Sequence, residues 1–199
     1  MKEKSIDSSL LDRAILFAVR AHADTERKGK GFPYIVHPLE AMAIVATMTN
    51  DQELLAAAVL HDTIEDTDTT MEQLCAEFGP RVAKLVETET DQHFSADKAL
   101  TWHQRKQESL NRLASASRDA MIVALGDKLS NMRGIANDYA ALGDEVWQRF
   151  HVKQRDDHAW RFRQLVKVFA PLADTHAYRE FAQLVDSVFG RTEGEENQS

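Results

Sequence analysis

The chain has 199 residues, 43% of them hydrophobic, a formal net charge of −8 and one cysteine, which suits a single globular domain with a sizeable core. The acidity argues against general nucleic-acid binding, and the lone Cys75 excludes a disulfide framework or a cysteine-based zinc site. Met1 to Ser9 lack the apolar core of a signal peptide and no apolar run reaches membrane-span length, so a cytoplasmic protein without membrane contact is expected.

Strand-like alternation is scarce and Gly and Pro are few, which predicts an all-α fold. Ser8 or Ser9 can cap a first helix with Leu11, Ile15, Ala18 and Val19 on its apolar face, ending near Ala23. Arg27, Lys28, Gly29, Lys30 and Gly31 then make a basic loop that Pro33 closes. Pro38 suits the first position of a helix, which places His37 at its entrance, with Leu39, Met42, Ala43 and Ala46 turned inward. After the break at Asn50-Asp51 comes the run Leu54 to Leu60, Ala/Leu-rich and apolar throughout, which reads as a buried helix delivering His61 and Asp62, with Glu65 and Asp66 close behind.

Thr69 or Thr70 can cap a short helix that ends at Phe78-Gly79, where Cys75 is expected to be buried; Pro80 opens the next, with Val82, Leu85 and Val86 inward. Residues 91–97 read as a polar loop. An amphipathic helix follows through Trp102, Arg105, Lys106 and Leu113, its two cations expected to face solvent. Asp119 is expected to cap a helix whose apolar run Met121 to Leu125 is interrupted by Asp127 and Lys128; Asp127, Ser130 and Asn131 share one side of it. Two more helices are predicted, from Glu145 to about Phe169 and from Ala177 to Val188. No linker divides the chain, so residues 1–190 are read as one domain and the acidic tail 191–199 as disordered.

Carboxylates seldom sit against a core unless a metal or partner compensates them. His37 at a helix entrance, His61 and Asp62 at a helix end and Asp127 beside an apolar run can converge on one cation. Two imidazoles and two carboxylates with open positions suit a divalent ion such as manganese or iron better than zinc.

Arg27-Lys28 in its Gly-rich loop, Pro33 to Pro38, His61 to Thr67, Phe78-Gly79 and Gly126 to Arg133 occur in that order. Together they resemble the HD-type hydrolase domain of the RelA/SpoT alarmone enzymes, and more closely the stand-alone small alarmone hydrolases. The resemblance covers about residues 10 to 170 and implies a single-domain HD-type helical bundle. It implies that His37, His61, Asp62 and Asp127 hold one Mn2+ ion, that Glu65 and Asp66 form the catalytic acid pair, and that Arg27, Lys28 and Asn131 meet the substrate. The implied activity is removal of the 3′-pyrophosphate from a small-molecule alarmone of the (p)ppGpp type. The block Leu85 to Asp91, the segment Trp102 to Lys106 and the segment Val146 to Phe150 depart from the better-known members and keep an adenosine alarmone open beside the guanosine one. An HD phosphohydrolase acting on other nucleotides, or a non-catalytic nucleotide-binding module, would share the four ligands. Intact Glu65 and Asp66 argue for catalysis.

Overall fold

The computed structural model describes residues 9–27, 30–90 and 102–190. Lys28, the loop predicted over 91–97 and the tail 191–199 fall outside these residues. Among the described residues the regular structure is helical, apart from one isolated antiparallel bridge between Glu26 and Pro33 that pinches the base of the basic loop. The α-helices are α1 (Ser9–Ala21), α2 (Val36–Val45), α3 (Gln52–Leu60), α4 (Thr63–Asp66), α5 (Met71–Phe78), α6 (Pro80–Glu89), α7 (Trp102–Ala114), α8 (Arg118–Leu142), α9 (Arg155–Val168) and α10 (His176–Phe189). None of them is long and apolar enough to cross a membrane.

The core forms around α3. Every residue from Leu54 to Leu60 is buried, as expected of a helix that is apolar all round. It packs against α1, α2, α6 and α8. Asp51 starts it, its carboxylate accepting from the Glu53 amide at 2.9 Å. Thr70 caps α5 in a reciprocal box with Gln73, and Pro80 opens α6.

Several local expectations are corrected. Val19, Ala43 and Ala46, expected inward, are exposed, and the buried face of α2 runs through Ala41, Ile44 and Val45 instead. Ser117, not Asp119, caps α8, through the Ala120 amide at 3.2 Å. Asp119 lies inside the first turn and pairs with Arg81 at 2.8 Å, where a carboxylate still favours the positive end of the helix. Cys75 is exposed, because Leu74 and Phe78 set the buried stripe of α5 and the next position turns outward. The helix predicted from Glu145 to Phe169 is two pieces. Gly143, at φ +57, ends α8 in the left-handed region and starts a 3-10 helix, Gly143–Arg149, before extended chain leads into α9. Trp147 fixes this short piece: it is buried, and its indole nitrogen donates to Asp144 at 3.0 Å.

The approach of α8 to α2 decides where the polar residues meet. A Cβ at Gly126 would lie 2.6 Å from Val45 Cγ2 and 2.8 Å from the Ala41 carbonyl oxygen. Glycine therefore lets the helices close up at the residue before Asp127. For Gly126→Ala, overpacking costs about 1–3 kcal/mol, against a helix-propensity gain of about 1 kcal/mol. One clashing atom is a backbone oxygen that cannot rotate away, so a net loss of about 1–2 kcal/mol is expected, read as a lower Tm. An unchanged or higher Tm would mean that the contact is not tight.

Candidate metal centre and adjoining cavity

His61 is the residue after α3 and stays in the helical region, with φ −54 and ψ −37. Asp62 relaxes to φ −94 and ψ −2, and α4 begins one residue later. The Asp66 amide donates to the Asp62 carbonyl at 3.0 Å, the first bond of α4. Asp62 so caps α4 beside His61, and the register carries Asp66 one turn past Asp62. His37 enters from the first turn of α2, and Asp127 from the middle of α8.

These four side chains meet. His37 Nε2 lies 3.1 Å from Asp127 Oδ1 and 3.5 Å from Asp62 Oδ2; His61 Nε2 lies 2.9 Å from Asp62 Oδ2 and 3.5 Å from Asp127 Oδ1. Ligand atoms of His37, His61 and Asp127 all fall within 4.8 Å of one another. An ion that binds nitrogen and oxygen at about 2.1 Å sets neighbouring donors about 3.0–3.4 Å apart. The four edges, 2.9–3.5 Å, bracket that spacing to within 0.1 Å.

The imidazole protons agree with a metal. His61 Nδ1 faces the Ala58 carbonyl oxygen at 2.8 Å. A carbonyl only accepts, so Nδ1 carries the hydrogen and a neutral ring leaves Nε2 bare. That Nε2 is buried and has no hydrogen-bond partner. A buried lone pair facing two carboxylates is costly unless a proton or a metal cation stands between them. Burial pushes the His61 imidazole down, but Asp62 and Asp127 hold it well above its ordinary value. Burial raises the two carboxyls; His61 beside Asp62, and Lys128 and His61 beside Asp127, outweigh it and hold both below the usual carboxylate range. The cluster demands positive charge, and the donor set suits a divalent ion.

Further contacts brace the carboxylates. The Tyr34 hydroxyl donates to Asp62 Oδ2 at 2.7 Å; burial first, then Asp62, raises that phenol far above its ordinary value, so it stays a donor. Lys128 pairs with Asp127 and, at 3.1 Å, with Glu89 of α6; burial would lower its ammonium, and the two carboxylates raise it instead. Asn131 donates to Asp127 Oδ1 at 2.5 Å and accepts from Arg27 Nη2 at 2.8 Å. It therefore ties the basic loop to the centre. Lys30 anchors the same loop to α8 through Asp138 at 2.5 Å and the Gly134 carbonyl at 3.3 Å.

Beside the centre lies a cavity of about 500 Å³, whose lining includes Arg27, Lys30, Lys106, Lys128, Arg149 and Arg161, with Tyr34, Trp102, Phe150, His158 and Phe162. In a chain of net charge −8, six cations against one lining acid, Asp138, which pairs with Lys30 and Arg149, is a local reversal of sign that suits a polyanion with an aromatic part. Lys106 corrects the expectation of a solvent-facing position: α7 packs on α9 and turns it to the cavity. Arg149 and Arg161 were not singled out in the sequence, because they lie on separate elements and only packing gathers them. Glu65 is half-buried and Asp66 exposed on α4; the Tyr34 hydroxyl donates to the Asp62 carboxylate beside them. Tyr34 is thus a hydrogen-bond donor of the site. His22 is buried and packs its ring against Tyr34 at 4.9 Å.

The description "HD domain" names a family model that matches residues 14–176. A Danio rerio protein named guanosine-3′,5′-bis(diphosphate) 3′-pyrophosphohydrolase MESH1 is 37% identical over 131 residues, which are 64% of this chain and 70% of that protein. A Synechocystis protein named probable guanosine-3′,5′-bis(diphosphate) 3′-pyrophosphohydrolase is 33% identical over 193 residues, 92% of this chain but only 25% of the longer relative. A solved structure described as a metazoan ortholog of SpoT that hydrolyzes ppGpp superposes with a TM-score of 0.75 at 24% identity, over 94% of this chain and 100% of that one. At that identity the likeness shows the fold.

Proposed function

This chain belongs to the HD domain family, in the RelA/SpoT alarmone branch, and from that premise we propose that it is a metal-dependent 3′-pyrophosphohydrolase of guanosine or adenosine alarmones. The observation that carries the reading is the junction of two features. A cluster of two imidazoles and two carboxylates, with an orphaned buried nitrogen, adjoins a cavity lined by cations, the two joined by Tyr34, Lys128 and Asn131, which bond to the carboxylates and line the cavity.

His37, His61, Asp62 and Asp127 would hold one divalent ion, with Mn2+ favoured by the mixed nitrogen and carboxylate set. Bound there, the ion supplies Lewis acidity, polarising a phosphoryl oxygen and bringing the pKa of water near neutrality. Glu65 and Asp66, one helical turn from His61 and Asp62, orient the attacking water and take its proton. The water oxygen bonds to phosphorus, the bond from phosphorus to the ribose 3′ oxygen breaks, and that oxygen leaves with a proton. Pyrophosphate and a nucleotide with a free 3′-hydroxyl result. Arg27, held by Asn131, meets the phosphates bidentately; Lys28 is assigned to the same task on the resemblance alone. Lys106, Arg149 and Arg161 answer the charge of the 5′-phosphates, and the aromatic wall suits a base.

Product analysis tests this. The protein is incubated with guanosine and adenosine 3′,5′-bis-pyrophosphates, nucleoside monophosphates and dinucleotide phosphates, with Mn2+ or with a chelator. Pyrophosphate and a nucleoside 5′-diphosphate should appear from the alarmones, and only with metal. Cleavage of simple nucleotides in preference to both alarmones, or turnover in the chelator, would overturn the proposal.

A further inference from the structure

We propose that Ser130 and Glu40 are positioning residues for the metal site: together they form a relay that holds His37 in the tautomer whose Nε2 is free for the ion. This rests on reading His37, His61, Asp62 and Asp127 as a metal centre, and is independent of the substrate.

The two histidines are oriented by different means. His61 follows a full helix, and its Nδ1 reaches back to the carbonyl of Ala58, three residues earlier. His37 is the second residue of α2, and the Tyr34 carbonyl three residues earlier accepts from its amide at 3.0 Å. Its Nδ1 lies instead 2.8 Å from Ser130 Oγ on α8, with both residues buried. Ser130 has one hydroxyl proton, and it donates that proton to Glu40 Oε2 at 2.7 Å. Glu40 is held as a carboxylate partner by Arg133 at 3.1 Å, which Glu180 of α10 grips at 2.6 and 2.8 Å.

The direction of the relay follows from proton counting. A carboxylate only accepts, so it takes the Ser130 proton. Ser130 can then only accept from His37, so His37 Nδ1 carries the hydrogen and Nε2 points its lone pair at the cluster. Glu40 lies one turn from His37 on α2, and Ser130 one turn from Asp127 on α8. The helices that bring two of the ligands thus also bring the parts that orient one of them. Without the relay, the other tautomer becomes available. Its Nε2–H would donate to Asp127 Oδ1, 3.1 Å away, and close the nitrogen to metal.

The test is Mn2+ affinity, without nucleotide, together with the 15N shifts of the His37 ring in metal-free protein. Ser130→Ala should raise the Mn2+ Kd about 10- to 100-fold, and should move the protonated-nitrogen signal from Nδ1 toward Nε2. Ser130→Thr, which keeps the hydroxyl, should restore both. Glu40→Ala frees the Ser130 proton to turn toward His37 and should raise Kd severalfold; the Glu40 side chain is 37% exposed, so this variant serves if changes at Ser130 prevent folding. A Ser130→Ala protein with the wild-type Kd, or one that loses affinity while His37 keeps its tautomer, would overturn the relay, as would a lower Tm with unchanged Kd. A wild-type protein that binds no Mn2+, or a His37→Ala protein with unaltered Kd, would remove the metal centre beneath it. None of these readouts involves an alarmone, so the substrate proposal and this one fail separately.

Discussion

Asp127→Asn is expected to abolish turnover and to weaken divalent-metal binding by more than about 100-fold, the upper range for changes that leave the ligands themselves intact. Asp127 meets His37 Nε2 at 3.1 Å and His61 Nε2 at 3.5 Å, accepts from Asn131 and pairs with Lys128. The amide keeps the shape but loses the charge, so its failure would be electrostatic rather than steric. Lys128 retains Glu89 at 3.1 Å, which spares the variant the full penalty of a stranded buried cation. A second measurement separates lost metal from lost fold. Metal bound to the native state alone stabilises it by RT ln(1 + [L]/Kd), about 4 kcal/mol at a thousandfold excess over Kd. Adding a chelator should lower the Tm of the wild-type protein by the corresponding amount and leave that of Asp127→Asn almost unmoved. Equal chelator responses in the two proteins would take Asp127 off the ligand set.

Asp66→Asn should lose turnover by about 10²–10⁴-fold, the usual reach of one general acid or base, while Mn2+ affinity and Tm stay near those of the wild-type protein. Asp66 is exposed and Glu65 half-buried on α4, so neither holds the core. Asp66 lies one turn past Asp62, whose carbonyl accepts from its amide at 3.0 Å, which sets it near the cluster. Glu65→Gln should show the same separation of turnover from metal binding. Full activity in Asp66→Asn would refute the assigned role, and loss of metal in either variant would make the pair ligands rather than proton carriers.

Much of this was legible because it is local. The run Leu54 to Leu60 has no polar position, so it could only be buried, and the residues that follow it had to surface at the edge of the core. The shared side of Asp127, Ser130 and Asn131 followed from helical spacing, and so did the inward face of α6. The misplacements have a common cause. Cys75 and Asp119 each sat one or two positions from the residue that a stripe or a cap uses, and propensity does not resolve single positions. The break after Gly143 needed the burial of Trp147, a long-range contact, to show where the chain turns.

The sequence by itself determined an all-helical chain, a buried central helix ending in His-Asp, and, through its ordered motifs, the resemblance to alarmone hydrolases. Tertiary structure alone decided that His37 and Asp127 reach that end, which imidazole nitrogen each histidine offers, and that Lys106, Arg149 and Arg161 surround one cavity. The reason is physical. Periodicity says which face of a helix leaves water, since burial is non-directional and proportional to area. A metal site needs four atoms from three helices within a few ångströms of each other, and that depends on how closely the helices pack, as Gly126 allows α8 to approach α2.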